Sequence, residues 1–276
     1  MSRGRLVIGL LMGVMALASY FGYREVNPIT GENQHIGISR DQEVALGLQA
    51  APEMAAQFGG LEPDDRIQSF VQGVGTRVAQ NSAAGSADYR FSFQVLKDRE
   101  TVNAFALPGG PIFITAALFQ RLENEAQLAG VLGHEIGHVV GRHSAEHMAK
   151  SQFAQLLVQA VGVAASDEEH PGRGQQAAAA AGFISQMVTL RYGRNDELES
   201  DKLGVRFMSE AKYDPRSLLE VMRILAASSG GSRRPEFLST HPDPGNREET
   251  IKAAIAERFP QGVPPDLTTG QPLQTR

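Results

Sequence analysis

The chain has 276 residues, 42% of them hydrophobic and 21% charged, with a formal net charge of -5. That length can bury one sizeable core or two modest ones, and the charge balance offers no basic surface for nucleic acid. There is no cysteine, which excludes thiolate metal sites, a cysteine nucleophile, disulfides and an acylated-cysteine anchor.

The chain opens on MSRGR, with Arg3 and Arg5, followed by the uncharged run LVIGLLMGVMALASYFGY at residues 6–23. A basic start, an apolar run and Ala16-Leu17-Ala18 before Ser19 have the form of a signal peptide. About 17–20 apolar residues can also just span a bilayer, so residues 1–23 read equally as a single membrane anchor. Both readings leave the two arginines in the cytosol and the chain beyond about residue 24 outside it. Residues 24–38, broken by Pro28 and Gly31, read as a linker.

Ser39 has the form of an N-cap for a helix over residues 40–58. A second helix is expected over 63–82, where Ile67, Phe70, Val71, Val74 and Val78 share one face. The pattern then changes to alternation. YRFSFQVLK (89–97) places Phe91, Phe93 and Val95 on one side, as a half-buried strand does. VNAFALPGGPIFITAAL (102–118) reads as strand, turn and strand around Pro108-Gly109-Gly110-Pro111. These segments predict a small antiparallel sheet of three strands. From Glu123 the chain is mostly helical, with one bent helix or two in sequence from Glu123 to Ala164. A loop at 166–176, an Ala-rich helix at 177–192 and further helices at 195–211 and 214–229 follow. Residues 230–250 form a Gly/Pro-rich loop before a last helix. A domain over 39–259 then leaves 260–276, rich in proline, as a flexible tail. No glycine-rich phosphate loop stands between a strand and a helix, so no nucleotide site is expected.

The chemistry concentrates in LAGVLGHEIGHVVGRHSAEHMAK (128–150). His134 and His138 lie about one helical turn apart and point the same way, so two imidazoles can grip one Zn²⁺. Glu135 stands where a carboxylate can take a proton from the attacking water and return it to the leaving amine. Leu128, Val131, Leu132, Ile136, Val139 and Val140 make this helix apolar nearly all round, so it is buried and its histidines need partners. Gly133 and Gly137 each cost about 1 kcal/mol against alanine in a helix, which points to something packed closely there.

Two histidines leave the third protein ligand open. The extended pattern H-E-x-x-H-x-x-G-x-x-H places Gly141 correctly but needs a histidine at Ser144. His143 is one residue short, a rotation of about 100° on a continuous helix. His143 and His147 otherwise read as a polar helix end. RYGRNDELESDKLG (191–204) offers Glu197 and Asp201, four apart on one face. Glu197 can be the third ligand, with Asp201 holding a ligand histidine by its second nitrogen and Arg194 neutralising the cluster. Asp196, Glu197 and Glu199 equally suit an exposed acidic helix start.

NAFALPGGPIFIT (103–115), HEIGH (134–138), RNDELESD (194–201) and STHPDPGNR (239–247), in this order, resemble the membrane-associated zinc metallopeptidases that include the CAAX prenyl endopeptidases and the HtpX- and BepA-type proteases. The resemblance covers roughly residues 40–255. It implies an α+β, mainly α-helical zincin-like fold with a small antiparallel sheet packed on the HExxH helix. It implies one Zn²⁺ per chain held by His134, His138 and Glu197, with Glu135 as general base and Arg194 and Asp201 orienting the site. Ser200 stands where the family motif usually has alanine. His241 matches a histidine that either plugs the open metal position or helps stabilise the oxyanion. Asn103, Ala104, Phe105 and Ala106 match an edge strand on which an extended peptide can lie by main-chain hydrogen bonds. The function implied is an endopeptidase of the cell envelope, periplasmic and either soluble or anchored by residues 6–23, acting on unfolded or misassembled envelope proteins. Two competing readings are a chaperone-like assembly factor that rarely cuts, and a structural zinc domain. The chain has at most one membrane span and no expected C-terminal repeat domain, so it resembles a minimal periplasmic member.

Overall fold

The structure is a computed structural model that describes residues 3–165, 192–228, 236–241 and 245–273. The loop expected at 166–176, the Ala-rich helix up to residue 191, and parts 230–235 and 242–244 of the Gly/Pro-rich loop lie outside the described residues. The chain forms two compact units, Met1–Ser39 with Ser144–Thr189, and Arg40–His143 with Leu190–Arg276.

In the first unit, α1 (Arg3–Gly22) is followed by β1 (Glu25–Val26) and β2 (Asn33–Gln34), paired antiparallel, and the unit also holds most of α6 (His143–Ala165). The expected linker thus contains a short hairpin. Asn27 builds its turn by accepting the N–H groups of Ile29 and Thr30 on Oδ1. Tyr20 of α1 stacks on Phe153 of α6 with ring centroids 4.6 Å apart. Leu10, Leu11 and Met15 on α1 remain exposed. Among the described residues, no helix is long and apolar enough to cross a membrane.

The second unit begins with α2 (Arg40–Gln57) and α3 (Asp65–Gln80). Asp64 caps α3 by accepting the Arg66 N–H. The sheet follows as β3 (Ser92–Leu96), β4 (Ala104–Ala106) and β5 (Pro111–Thr115), then α4 (Ala116–Phe119) and α5 (Glu125–Val140). The closing elements are α7 (Arg194–Glu210), α8 (Ser217–Ser228), α9 (Phe237–Thr240) and α10 (Arg247–Arg258).

The sheet is not wholly antiparallel. Its order is β3-β5-β4, with β4 antiparallel to β5 but β3 parallel to it. The hairpin expected at Pro108–Pro111 forms, with Gly109 and Gly110 at positive φ. β5 rather than β4 takes the centre, because all five of its residues are buried and both its faces need cover. The three-residue β4 is left at one edge.

α5 is buried along almost its whole length and packs on α7. A Cβ on Gly137 would lie 3.0 Å from Ser200 Cα and 3.1 Å from Ser200 O, and one on Gly204 would lie 3.2 Å from His134 N. Gly133 and Gly137 of the HExxH helix therefore admit the α7 backbone itself. We expect Gly137→Ala to destabilise the protein by about 1–2 kcal/mol in denaturant titration. Overpacking against backbone, about 1–3 kcal/mol, outweighs the helix-propensity gain of about 1 kcal/mol.

The C-terminal segment departs from the loose tail expected over 260–276. Thr269 O and Gln271 O accept the N–H groups of Ala126 and Glu125, and the Leu273 N–H donates to Glu123 O. These carbonyls satisfy two of the donors that the first turn of α5 cannot pair internally. Asn124 covers a third through its side chain, accepting the Gln127 N–H.

Candidate metal centre

Four buried side chains converge between α5, α7 and the end of α9. They are His134, His138, Glu197 and His241, each of which offers one ligand atom to the group. His134 Nε2 and His138 Nε2 are 3.1 Å apart, and each is 3.5 Å from a Glu197 carboxylate oxygen. His241 Nδ1 lies 3.0 Å from Glu197 Oε1 and 3.4 Å from His134 Nε2. Donors arranged tetrahedrally at about 2.0–2.1 Å from a central ion stand about 3.3–3.4 Å from one another. The spacings, and the three-nitrogen, one-carboxylate donor set, fit a small divalent ion such as zinc. Glu197 Oε2 and His241 Nε2 are buried without a hydrogen-bond partner among the described residues.

The surroundings orient these donors. His134 Nδ1 is 2.9 Å from Asp201 Oδ1, a contact that keeps Nδ1 protonated, so Nε2 is the nitrogen turned to the cluster and the one that would bind a metal. Asp201 is held in turn by Arg247, whose Nε and Nη2 donate to its two oxygens at 2.8 and 2.6 Å. Arg247 Nη1 lies 3.2 Å from Glu197 Oε2. Tyr192 stacks on His138 at 3.8 Å between centroids, and Phe237 stacks on His241 at 4.4 Å.

The ionisation pattern follows. Burial opposes the charge on Asp201 and Glu197, but Arg247 next to Asp201, and His241 and His134 next to Glu197, hold both carboxyls below their ordinary values. Burial pulls His134 down, but the carboxylates of Asp201 and Glu197 outweigh it and raise it to about 9. Burial and the surrounding positive groups push His138 well down, which keeps it neutral. Glu135 is the exception among the carboxylates. Burial raises it, and neither of its oxygens has a hydrogen-bond partner among the described residues. Its Oε1 is 3.6 Å from His241 Nε2.

Of the residues singled out by sequence, the structure brings together His134, Glu135, His138, Glu197, Asp201 and His241. Arg194 is not among them: it opens α7 and is exposed. Helical side chains lean toward the N-terminus, so Arg194 projects away from the Glu197–Asp201 pair. Arg247 fills the role expected of it. Sequence reasoning quoted Arg247 in STHPDPGNR without giving it a task, and it missed Tyr192. His143 is neither a member of the four-atom group nor a solvated helix end; it is buried behind His138. Asn103, Ala104, Phe105 and Ala106 lie on or beside edge strand β4 and are buried. The Phe237 N–H donates to Val102 O, so the segment that ends in His241 touches this edge.

An HExxH helix, a carboxylate from a second helix and a small sheet beside them define an α+β fold of the zincin class. The chain belongs to peptidase family M48, whose model matches residues 65–255. It is 30% identical over 228 residues to the "Beta-barrel assembly-enhancing protease" of Yersinia pestis, covering 81% of this chain and 46% of that one. The protein of the same name from Escherichia coli (strain K12) is 30% identical over 220 residues, covering 77% of this chain and 45% of that one. The "Mitochondrial metalloendopeptidase OMA1" of Schizosaccharomyces pombe is 29% identical over 241 residues, covering 86% and 68%. The chain thus spans about half the length of the bacterial relatives it matches.

Proposed function

We propose that the chain is a zinc-dependent endopeptidase of the bacterial cell envelope that cuts unfolded or misassembled envelope proteins. The observation that carries this is the four-atom cluster with the Glu135 carboxylate, buried without a hydrogen-bond partner among the described residues, beside it. His134, His138 and Glu197 would hold zinc, which when bound supplies a Lewis acid that polarises the scissile carbonyl and acidifies water. Glu135, held in a water-poor site that raises its proton affinity, accepts the proton of the attacking water and passes it to the leaving nitrogen. Asp201 and Arg247 keep His134 in one tautomer. β4, at the edge of the sheet although buried, would be the strand to which an extended peptide adds by main-chain hydrogen bonds, in keeping with unfolded substrates. The names of the bacterial relatives favour a substrate linked to β-barrel assembly. Residues 1–23 would direct export, as a leader or as an anchor; N-terminal sequencing of the mature protein separates these.

The position of His241 favours a second reading of the resting state. Its Nδ1 takes a fourth corner of the cluster, where it would block the position that substrate and water need. A latent enzyme of this kind could also serve as a binding factor for unfolded chains. The test is zinc-loaded protein with casein as substrate. We expect slow cleavage by the parent, several-fold faster cleavage by His241→Ala, and neither zinc retention nor cleavage by Glu197→Gln. Slower cleavage by His241→Ala would instead assign His241 to the oxyanion. Zinc retained by Glu197→Gln would sink the ligand assignment.

A further inference from the structure

His143 sits on the far side of His138 from the metal cluster. It is 1% exposed, with its Nδ1 2.9 Å from His138 Nδ1 and its Nε2 3.0 Å from Glu199 Oε2. Ser200 Oγ lies 3.4 Å from the same His143 Nδ1. Two imidazole nitrogens at hydrogen-bond distance require one donor and one acceptor. His138 can present an Nε2 lone pair to the cluster only if its proton is on Nδ1. His138 then donates to His143 Nδ1, and the His143 proton must sit on Nε2, where it donates to the Glu199 carboxylate. Every proton in the row is placed by its neighbour.

The backbone is arranged for this contact. Gly141 has φ -67°, an ordinary helical value that any residue adopts. Its reason is space: a Cβ there would lie 2.5 Å from His143 Nε2 and 2.8 Å from Cε1. The next residue, Arg142, takes φ +57°, the left-handed position that helix ends usually give to glycine. Arg142 is held in that conformation by the buried Glu43, whose Oε1 accepts its Nε at 2.7 Å. The sequence thus spends its glycine on the histidine ring and puts a side chain where the backbone would favour glycine. The outcome is a reversal that brings His143 back beneath His138.

We infer that His143, braced by Glu199, is the positioning residue for the ligand His138, fixing its tautomer and ring plane as Asp201 and Arg247 do for His134. The inference rests on the zinc reading proposed above. The test is the zinc dissociation constant of the full chain, measured by competition with a chromogenic chelator, with apo-protein melting recorded alongside. Outer partners of ligand histidines typically change metal affinity about 10–100-fold. We expect that loss in His143→Ala. Gly141→Ala, which crowds the ring, should behave similarly. His143→Gln, whose amide can both accept from His138 and donate toward Glu199, should recover most of the affinity. Glu199→Ala, at a carboxylate 27% exposed and so no threat to folding, should weaken binding several-fold. Affinities of His143→Ala and Glu199→Ala within twofold of the parent would overturn the inference, as would a Gln variant no better than Ala. If His143→Ala does not fold, Glu199→Ala decides. A parent that binds no zinc would overturn the metal reading itself, whereas zinc bound by the parent and lost in Glu197→Gln shows that reading intact whatever His143 does.

Discussion

Glu135→Gln is expected to abolish peptide hydrolysis while raising the stability of the metal-free protein. The amide is nearly isosteric but cannot accept a proton from water. General-base catalysis by a positioned side chain is worth about 10²–10⁴-fold, and kcat/KM should fall by about that factor with zinc affinity little changed. The stability gain has a definite sign. Burial raises the Glu135 carboxyl above its ordinary 4.5 in the folded protein. Between the unfolded and folded values the folded state binds more protons, so stability falls as pH rises through that window and stays lower above it. Gln removes the penalty. The Glu135→Gln melting temperature should therefore exceed the parent's at neutral and alkaline pH, with the difference closing as pH falls below about 4.5. Equal melting temperatures at pH 8 would mean that the ionised carboxylate is paired in solution. Retained cleavage would remove Glu135 from the mechanism.

Arg247→Ala is expected to be the most destabilising single change at the site. Arg247 is 3% exposed and clamps Asp201 through two hydrogen bonds while facing Glu197. Removing one partner of a buried ion pair costs about 3–5 kcal/mol, because the remaining charge is left in a poor solvent. Here two carboxylates are left. Calorimetry of the metal-free variant should show a melting temperature lower by about 10 °C, taking about 2–4 °C per kcal/mol for a chain of this size. Arg247→Lys should recover only part, since an ammonium cannot reproduce the two-pronged contact with Asp201. Zinc should raise the melting temperature of Arg247→Ala more than the parent's, because a dication supplies the missing positive charge. A drop of less than about 2 °C would show that Arg247 is not the electrostatic partner of this pair.

Residues that act within one helix face were the ones open to sequence reading. His134 and His138, and again Glu197 and Asp201, are four apart, and helical geometry alone puts each pair on one side. Gly133 and Gly137 signalled a close neighbour, and α7 is that neighbour. The Pro108–Pro111 turn was equally plain in its residues. What escaped depended on contacts between distant segments. An arginine opening a helix, as Arg247 does, looks like a solvated side chain until Asp201, 46 residues away, is brought beside it. Arg194 drew attention because it was near in sequence. A helical wheel cannot place His143, since the left-handed turn at Arg142 breaks the wheel just before it. Residues 269–273 dock on α5 mainly through main-chain groups, with the Glu125 carboxylate also accepting the Gln271 N–H, and main-chain contacts leave no mark on side-chain pattern. The sheet order turned on which strand is buried on both faces, and a run as short as Ala104–Ala106 says little about that.

The seam between α5 and α7 also acts as a size gauge. Gly137 faces Ser200 and Gly204 faces His134 so closely that even a Cβ would crowd the opposite backbone, so the helices that carry His134, His138 and Glu197 pack at a spacing only glycine permits. They cannot separate without opening a void in a close-packed interior. The separation of the two helices from which His134, His138 and Glu197 project is thereby set by backbone. Calcium, which takes six to eight oxygens at about 2.3–2.6 Å, would have to wedge the helices apart to bind. If the cluster holds zinc as proposed, two glycines and a serine outside the donor set would contribute to the choice of cation.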